Sequence, residues 1–393
     1  MSKTPKLRFK EFSGDWEEKK LGTLGQFLKG SILSKADLSE EGKPCVLYGE
    51  LYTKYSEVIK NVISKTNLEN DKLVLGKKND VLIPSSGETA IDIATASCLQ
   101  QDNVILGGDL NVFRSDKVNG VFTSYQLNSS KKREIARLSQ GASVVHIYNE
   151  QLKKIKLSVP SKEEQEKIAS FFSLIDEKIS LQSEKVEALK DYKRGMMQKI
   201  FSRELRFKDD EGRDYPEWEE KKIKDIFTVT RGVVIAKNEI SDLRDNINQY
   251  PVYSSQTSNN GILGYDSKYD FEGDYLTWTT DGANAGKVFR RNGKFRCTNV
   301  CGVLVEKEET LGFANKMISE FLNKETPKHV SYVGNPKLMN GVMGDIKIKV
   351  PILDEQLKIA KILDNIDLKI EKEQEKLDSL NQYKKGLLQQ MFV

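Results

Sequence analysis

The chain has 393 residues, with 62 Lys and Arg against 58 Asp and Glu and a formal net charge of +4. It is too long for one ordinary core, and too nearly neutral for net charge to argue for nucleic acid. Apolar residues make up 38% and charged residues 31%, which excludes a disordered chain. No apolar run approaches the roughly 20 residues of a membrane helix.

The opening lacks the apolar core of a secretory signal, and Cys45, Cys98, Cys297 and Cys301 are too few and scattered for a disulfide framework. A cytoplasmic protein away from membranes is therefore expected. In chain order, 1–20 is a polar lead-in carrying Leu7-Arg8-Phe9-Lys10 and then Trp16-Glu17-Glu18-Lys19-Lys20, followed by Leu21. Residues 21–158 read as mixed structure. The runs Lys72-Leu73-Val74-Leu75, Asp80-Val81-Leu82-Ile83-Pro84, Ser143-Val144-Val145-His146-Ile147 and Ile155-Lys156-Leu157-Ser158-Val159 predict strands. Helix is predicted near 122–139, the turn Ser85-Ser86-Gly87-Glu88-Thr89 follows a strand, and Lys131-Lys132-Arg133 is a local basic cluster.

The pattern changes over 159–202. After Pro160 and acidic residues there is no further Pro, and apolar residues fall at three-and-four spacing: Ile168, Phe171, Ile175, Ile179, Val186, Leu189, Met196 and Ile200. Such a narrow seam predicts a helix that pairs with another helix. About 40 residues would make a rod of roughly 60 Å, a spacer's length.

The linker 203–222 repeats the lead-in as Leu205-Arg206-Phe207-Lys208 and Trp218-Glu219-Glu220-Lys221-Lys222, followed by Ile223. Residues 223–349 form a second mixed region, with strands predicted at Tyr275-Leu276-Thr277-Trp278-Thr279 and Asn299-Val300-Cys301-Gly302-Val303-Leu304-Val305 and helix near 311–324. Residues 350–393 then repeat the long helix, with Ile359, Ile362, Ile366, Ile370, Leu377, Leu380, Leu387 and Met391 at the same relative positions. Val159–Phe201 and Val350–Phe392 align without a gap at an offset of 191, with 19 of 43 positions identical, and the stripe lapses at Gln182 and at its equivalent Glu373. The fold class is thus α+β: two globular domains, 21–158 and 223–349, in a duplicated frame with two long spacer helices. A repeated frame around two divergent inserts predicts one task performed on two targets.

Catalytic chemistry is not signalled. His146 and His329 stand without a nucleophile motif, and Cys297-x-x-x-Cys301 lacks two further ligands at zinc-like spacing, so buried strand cysteines are expected. No phosphate-cradling GxxxxGK[ST] loop or dinucleotide fingerprint occurs. Asp214 followed by Glu219-Glu220-Lys221 imitates a nuclease core, but it lies in a charge-rich lead-in.

Binding to DNA rests on local features. Lys131, Lys132 and Arg133 in the first insert, and Lys287, Arg290 and Arg291 with Lys294 and Arg296 in the second, could release counterions from phosphates, although solvated faces have the same composition. Amides and hydroxyls suited to base edges occur at Ser85 and Ser86, in the run Ser254–Asn260 with Gln256, Thr257, Asn259 and Asn260, and in Thr279–Asn284 with Thr280 and Asn284. Ordinary turns share that composition too.

The paired Pro-x-x-x-Glu-Gln-x-x-Ile-Ala openings at Pro160 and Pro351, and the ends Tyr192-Lys193-Arg194-Gly195-Met196-Met197-Gln198 and Tyr383-Lys384-Lys385-Gly386-Leu387-Leu388-Gln389, resemble the specificity subunit of type I restriction-modification enzymes. The resemblance implies antiparallel coiled-coil helices between two target-recognition domains, each reading one half of an asymmetric bipartite site in double-stranded DNA. It also implies two methyltransferase subunits holding S-adenosylmethionine, motor-nuclease subunits using ATP and magnesium, and no cofactor, metal or catalytic centre in this chain. The alternative is a coiled-coil adaptor without DNA specificity.

Overall fold

The computed structural model describes residues 4–141 and 144–393; Ser143 of the predicted strand 143–147 lies outside the described residues. The chain divides into two compact units, Met1–Glu184 with Gln374–Val393, and Lys185–Glu373.

In the first unit, strand Glu17–Lys20 pairs antiparallel with Lys156–Val159, drawing the two ends of the insert together. Between them are two five-stranded sheets, ordered Gln26–Lys29, Leu110–Arg114, Val81–Pro84, Ser97–Leu99, Val58–Ile59, and Leu38–Ser39, Ser64–Thr66, Lys43–Val46, Val104–Leu106, Val74–Gly76. Val81-Leu82-Ile83 is a continuous apolar run because its strand is covered on both faces. Val81 and Ile83 join a core with Leu21, Phe113 and Ile135, whereas Leu82 joins one with Val46, Leu106 and Val112. The helix predicted near 122–139 is two helices, Gly120–Asn128 and Lys132–Leu138. They part where the Ser129 hydroxyl donates back to Tyr125 O at 2.6 Å, a local bond that competes with the helical ladder.

In the second unit, Glu219–Lys222 pairs with Lys347–Val350 in the same way. One six-stranded sheet is ordered Phe227–Arg231, Cys301–Glu306, Phe271–Thr279, Val288–Cys297, Tyr250–Tyr253, Ile262–Asp266. Trp278 lies flat on Gly302, where a Cβ would stand 2.2 Å from the indole, and its Nε1 donates to Leu338 O at 3.0 Å. The strand predicted from 299 starts at Cys301, because Cys301 N closes a tight turn onto Thr298 O at 2.9 Å. Helix Lys316–Glu325 comes next.

The long helices, Lys162–Phe201 and Leu353–Met391, are each shared between the units. In the first unit Ile168, Ala169 and Phe172 from the start of one helix pack with Leu387 and Met391 from the end of the other, together with Trp16, Phe122 and Phe392. In the second, Ile359, Ala360 and Leu363 pack with Met196, Ile200 and Trp218. Start lies on end in both, so the helices run antiparallel. At the predicted lapse, Glu373 is buried and pairs with Lys185 at 3.1 Å.

The repeated motifs have matching structural roles. Glu164 is buried and receives Arg8 through Nε and Nη2, both at 2.7 Å, and Trp16 Nε1 at 3.3 Å. Glu355 receives Arg206 at 3.2 and 3.3 Å and Trp218 Nε1 at 3.1 Å. Each lead-in is therefore a clamp on the start of a long helix. The adjoining Gln165 accepts from Asn119 N, and Gln356 accepts from Asn315 Nδ2, both at 2.9 Å. Asn119 and Asn315 are themselves the caps of the insert helices Gly120–Asn128 and Lys316–Glu325, so the Glu-Gln pair ties lead-in, spacer helix and insert together.

A second repeated contact lies deeper along the helices. Lys384 pairs with Asp176 and Glu57, and Lys193 pairs with Asp367 and Glu320, all at 2.7 Å. Both the lysines and the aspartates are related by the offset of 191. Burial pulls the Lys384 ammonium down, but Glu57 and Asp176 outweigh it and hold the group above its ordinary value. The glutamates come from unrelated elements, one before strand Val58–Ile59 and one on helix Lys316–Glu325. Each insert thus supplies its own anchor to an identical Lys–Asp socket.

Candidate nucleic-acid interface

In the second unit three loops meet at one end of the sheet. The turn after Phe271–Thr279 carries Thr280, Asn284 and Lys287. Thr280 is buried, its hydroxyl 2.8 Å from Val300 O and 2.6 Å from Asp281 Oδ2. Asn284 and Lys287 are exposed, and Asn284 Nδ2 donates to Thr257 Oγ1 at 3.0 Å. That bond joins the turn to the loop 254–261, where Gln256 Nε2 donates to Ile262 O. The third loop, 331–337, lies against the turn, Gly282 N donating to Pro336 O at 3.0 Å and Leu338 N to Thr280 O at 2.9 Å.

Loop 254–261 holds an unusual backbone. Asn259, Asn260 and Gly261 are all left-handed, with φ of 47°, 51° and 80°. Asn tolerates this region better than most residues, yet two in succession require support from outside the loop. Arg291 provides it. Its side chain is 3% exposed, Nη1 donates to Asn260 O at 2.9 Å and Nε to Thr277 Oγ1 at 3.1 Å, and the guanidinium stacks 3.6 Å from the Tyr253 ring centroid. Burial holds this group below its ordinary value. Asn259 and Asn260 keep exposed side chains on a backbone pinned from beneath.

Arg290, Lys294 and Arg296 are drawn into internal pairs. Arg290 is exposed and meets Asp274 at 3.3 Å and Asp364 at 3.6 Å. Lys294 lies over Tyr269 and meets Glu272 at 3.7 Å. Arg296 is buried among Asp266, Asp270 and Glu239. The run of basic residues therefore presents far less free charge than its sequence suggests, because Asp274 and Glu272 on the neighbouring strand and Asp266, Asp270 and Glu239 beyond it supply carboxylates.

In the first unit, Ser85 and Ser86 are buried, and Ser86 Oγ lies 3.0 Å from His146 Nδ1. Lys131 and Lys132 are half-buried and Arg133 is exposed at the start of helix Lys132–Leu138; among the described residues none of the three forms an ion pair with its neighbours. The structure thus brings Gln256, Thr257, Asn259, Asn260, Thr280, Asn284 and Lys287 together, with Arg291 beneath them, while Arg290, its neighbour on the strand, is exposed and turned to Asp274 and Asp364. Loop 331–337 is marked in the sequence only by the turn residues Gly334-Asn335-Pro336, a composition that ordinary turns share.

The cysteines are buried, Cys297 and Cys301 at strand ends. Among the described residues no group of three or more His, Cys, Asp or Glu is placed to hold a metal ion, and no helix is long and apolar enough to cross a membrane.

Comparison with known proteins finds one family domain twice in the chain. The model of the type I restriction modification DNA specificity domain matches residues 13–191 and again 215–382. A protein of Mycoplasma pneumoniae described as the N-terminus of a type I specificity subunit is 45% identical over 144 residues, covering 36% of this chain and 74% of its own length. The specificity subunit of type I restriction enzyme MjaVIII from Methanocaldococcus jannaschii is 24% identical over 97% of this chain and 94% of its own. The crystal structure of a type I restriction-modification S subunit from M. genitalium shares the fold, with a TM-score of 0.67 and 19% identity over 99% of both chains. With two specificity domains matched over most of its length, each set between a lead-in clamp and a long helix, this chain belongs to the type I restriction-modification DNA specificity subunit family.

Proposed function

We propose that the chain reads an asymmetric two-part site in double-stranded DNA, each unit contacting one half, and directs adenine methylation or restriction by partner subunits. The observation that carries this reading is the duplication itself. Lead-in, Glu-Gln pair and Lys–Asp socket are repeated at the same relative positions, whereas one insert has two five-stranded sheets and the other a single six-stranded sheet. Two differently built domains on matching mounts suit two different half-sites. The chain acts without a catalytic centre of its own: two methyltransferase subunits bring S-adenosylmethionine, and motor-nuclease subunits bring ATP and magnesium.

Within the second unit, Asn259, Asn260, Gln256, Thr257 and Asn284 supply donors and acceptors for base edges, the chemistry by which amides read adenine. Arg291 sets the loop rather than reaching the duplex. Ser85 and Ser86 line the matching turn of the first unit, and Arg290 and Lys287 flank the second.

Exchange of residues 21–158 for the corresponding insert of another such subunit tests the modular reading, with methylated adenines sequenced in cells that contain the whole system. One half of the motif is expected to change and the other to stay. Change in both halves, or in neither, would overturn it.

Lys131, Lys132 and Arg133 are assigned to phosphates. Their joint replacement by Ala in the assembled complex is expected to weaken binding of all sequences alike and to flatten the salt dependence by up to about three units of slope. Loss of preference at a single base with an unchanged slope would move them to direct readout.

A further inference from the structure

In the second unit, residues 331–337 form a hairpin closed by two backbone bonds, Ser331 N to Lys337 O and Lys337 N to Ser331 O, both 2.9 Å. The first unit closes Gln140 on His146 in the same way, at 2.9 and 2.7 Å. The two pairs are separated by 191 positions, the offset that relates the long helices. Each closing pair is mounted on the turn that comes after a strand of the main sheet: Val145 and His146 pair with Gly87 and Ser86, and Lys337 pairs with Asp281.

The mounts repeat and the sequences between the closing pairs do not, being Gly-Ala-Ser-Val-Val in the first unit and Tyr-Val-Gly-Asn-Pro in the second. In the second tip Tyr332 is 69% and Val333 93% exposed, although the backbone beneath them is held to the 280–284 turn by the Gly282 and Leu338 bonds and by an ion pair of Lys337 with Asp281 at 3.7 Å. Gly334, at φ 75°, turns the tip. Two adjacent apolar side chains are thus held in solvent on a fixed backbone, beside the loops that carry Asn284, Thr257, Asn259 and Asn260. Apolar groups in that setting suit a thymine methyl in the major groove or a wedge against a base step.

The geometry points to the 331–337 hairpin as a specificity-determining element of the second unit, with Tyr332 and Val333 facing bases of the half-site that this unit reads. The inference rests on the proposed DNA reading and adds an element that the amide-rich loops do not include. A fixed mount with a variable tip explains how two units of one frame distinguish different sequences.

The test uses the assembled complex carrying Tyr332→Ala and Val333→Ala, with a second complex carrying Tyr332→Phe and native Val333. Binding is measured to duplexes in which each base of both half-sites is changed in turn. Discrimination at one or two adjacent positions of the second half-site is expected to fall about tenfold or more, with the first half-site and thermal melting unchanged, and the Phe variant is expected to retain most of it. Wild-type discrimination at every base in the Ala variant would overturn the inference. So would an equal loss over all sequences, or failure of the variant to assemble, which would make the tip a protein contact. An unaltered complex without any sequence preference would instead overturn the DNA reading, and this inference with it.

Discussion

Replacing Arg8 with Ala is expected to cost about 3 kcal/mol, the low end of the range for breaking a buried ion pair. Glu164 is 1% exposed and would keep only the Trp16 indole N–H of its three side-chain donors. The loss lies at the low end because Arg8 itself is at the edge of the site, with 16% of its side chain exposed. For a unit of this size that corresponds to a fall in melting temperature of roughly 6–12 °C. Adding Glu164→Gln should recover much of the loss, since the orphaned charge is then removed while an acceptor for Trp16 remains. Calorimetry of the two variants checks both statements. An Arg8→Ala protein that melts with the parent would show that the lead-in does not clamp the helix.

The second large effect concerns the spacer helices. Four residues inserted after Glu184, where the division between the units falls, would lengthen the first long helix by roughly 6 Å and rotate its C-terminal half by about 40°. Along B-DNA about 6 Å is nearly two base pairs, and the duplex turns by roughly 34–36° for each. Both half-sites are expected to stay as they are while the nonspecific gap between them grows by one or two base pairs. Such an insertion is a stutter that local unwinding can absorb, though the second helix lacks partners for the added turn. Sequencing of methylated adenines reads the gap directly. An insertion variant that remains folded and active on the original spacing would show that something other than these helices sets the distance.

The parts of the molecule legible in the sequence are those in which chemistry repeats at a period. The apolar seam from Ile168 to Ile200 and its copy from Ile359 to Met391 announced two helices, because helix geometry forces that spacing on any buried stripe. Runs such as Val81-Leu82-Ile83 announced strands for a different reason, a short unbroken apolar stretch that suits a strand covered on both faces. The lead-in repeat was visible but not its purpose, since Arg8, Trp16 and Glu164 meet only after more than 140 residues of intervening chain have folded. Composition named polar loops without separating exposed groups from buried ones. Ser85, Ser86 and Thr280 are buried, and Arg291 is a support beneath Asn260, because neighbouring strands and turns enclose them. The 331–337 hairpin was marked only by the turn residues Gly334-Asn335-Pro336, since closure by backbone bonds and exposure of the tip leave no side-chain signature.

The sharing of helices also sets an order of assembly. Residues 185–373 contain everything that the second unit needs, whereas the first needs Leu387, Met391 and Phe392 against Trp16, Phe122 and Phe172. During vectorial synthesis the domain made first therefore waits, its aromatic cluster uncovered, while the domain made later completes itself. At about 5–20 residues per second that delay lasts on the order of ten seconds or more, a window in which chaperones and proteases meet an apolar surface that the finished protein hides.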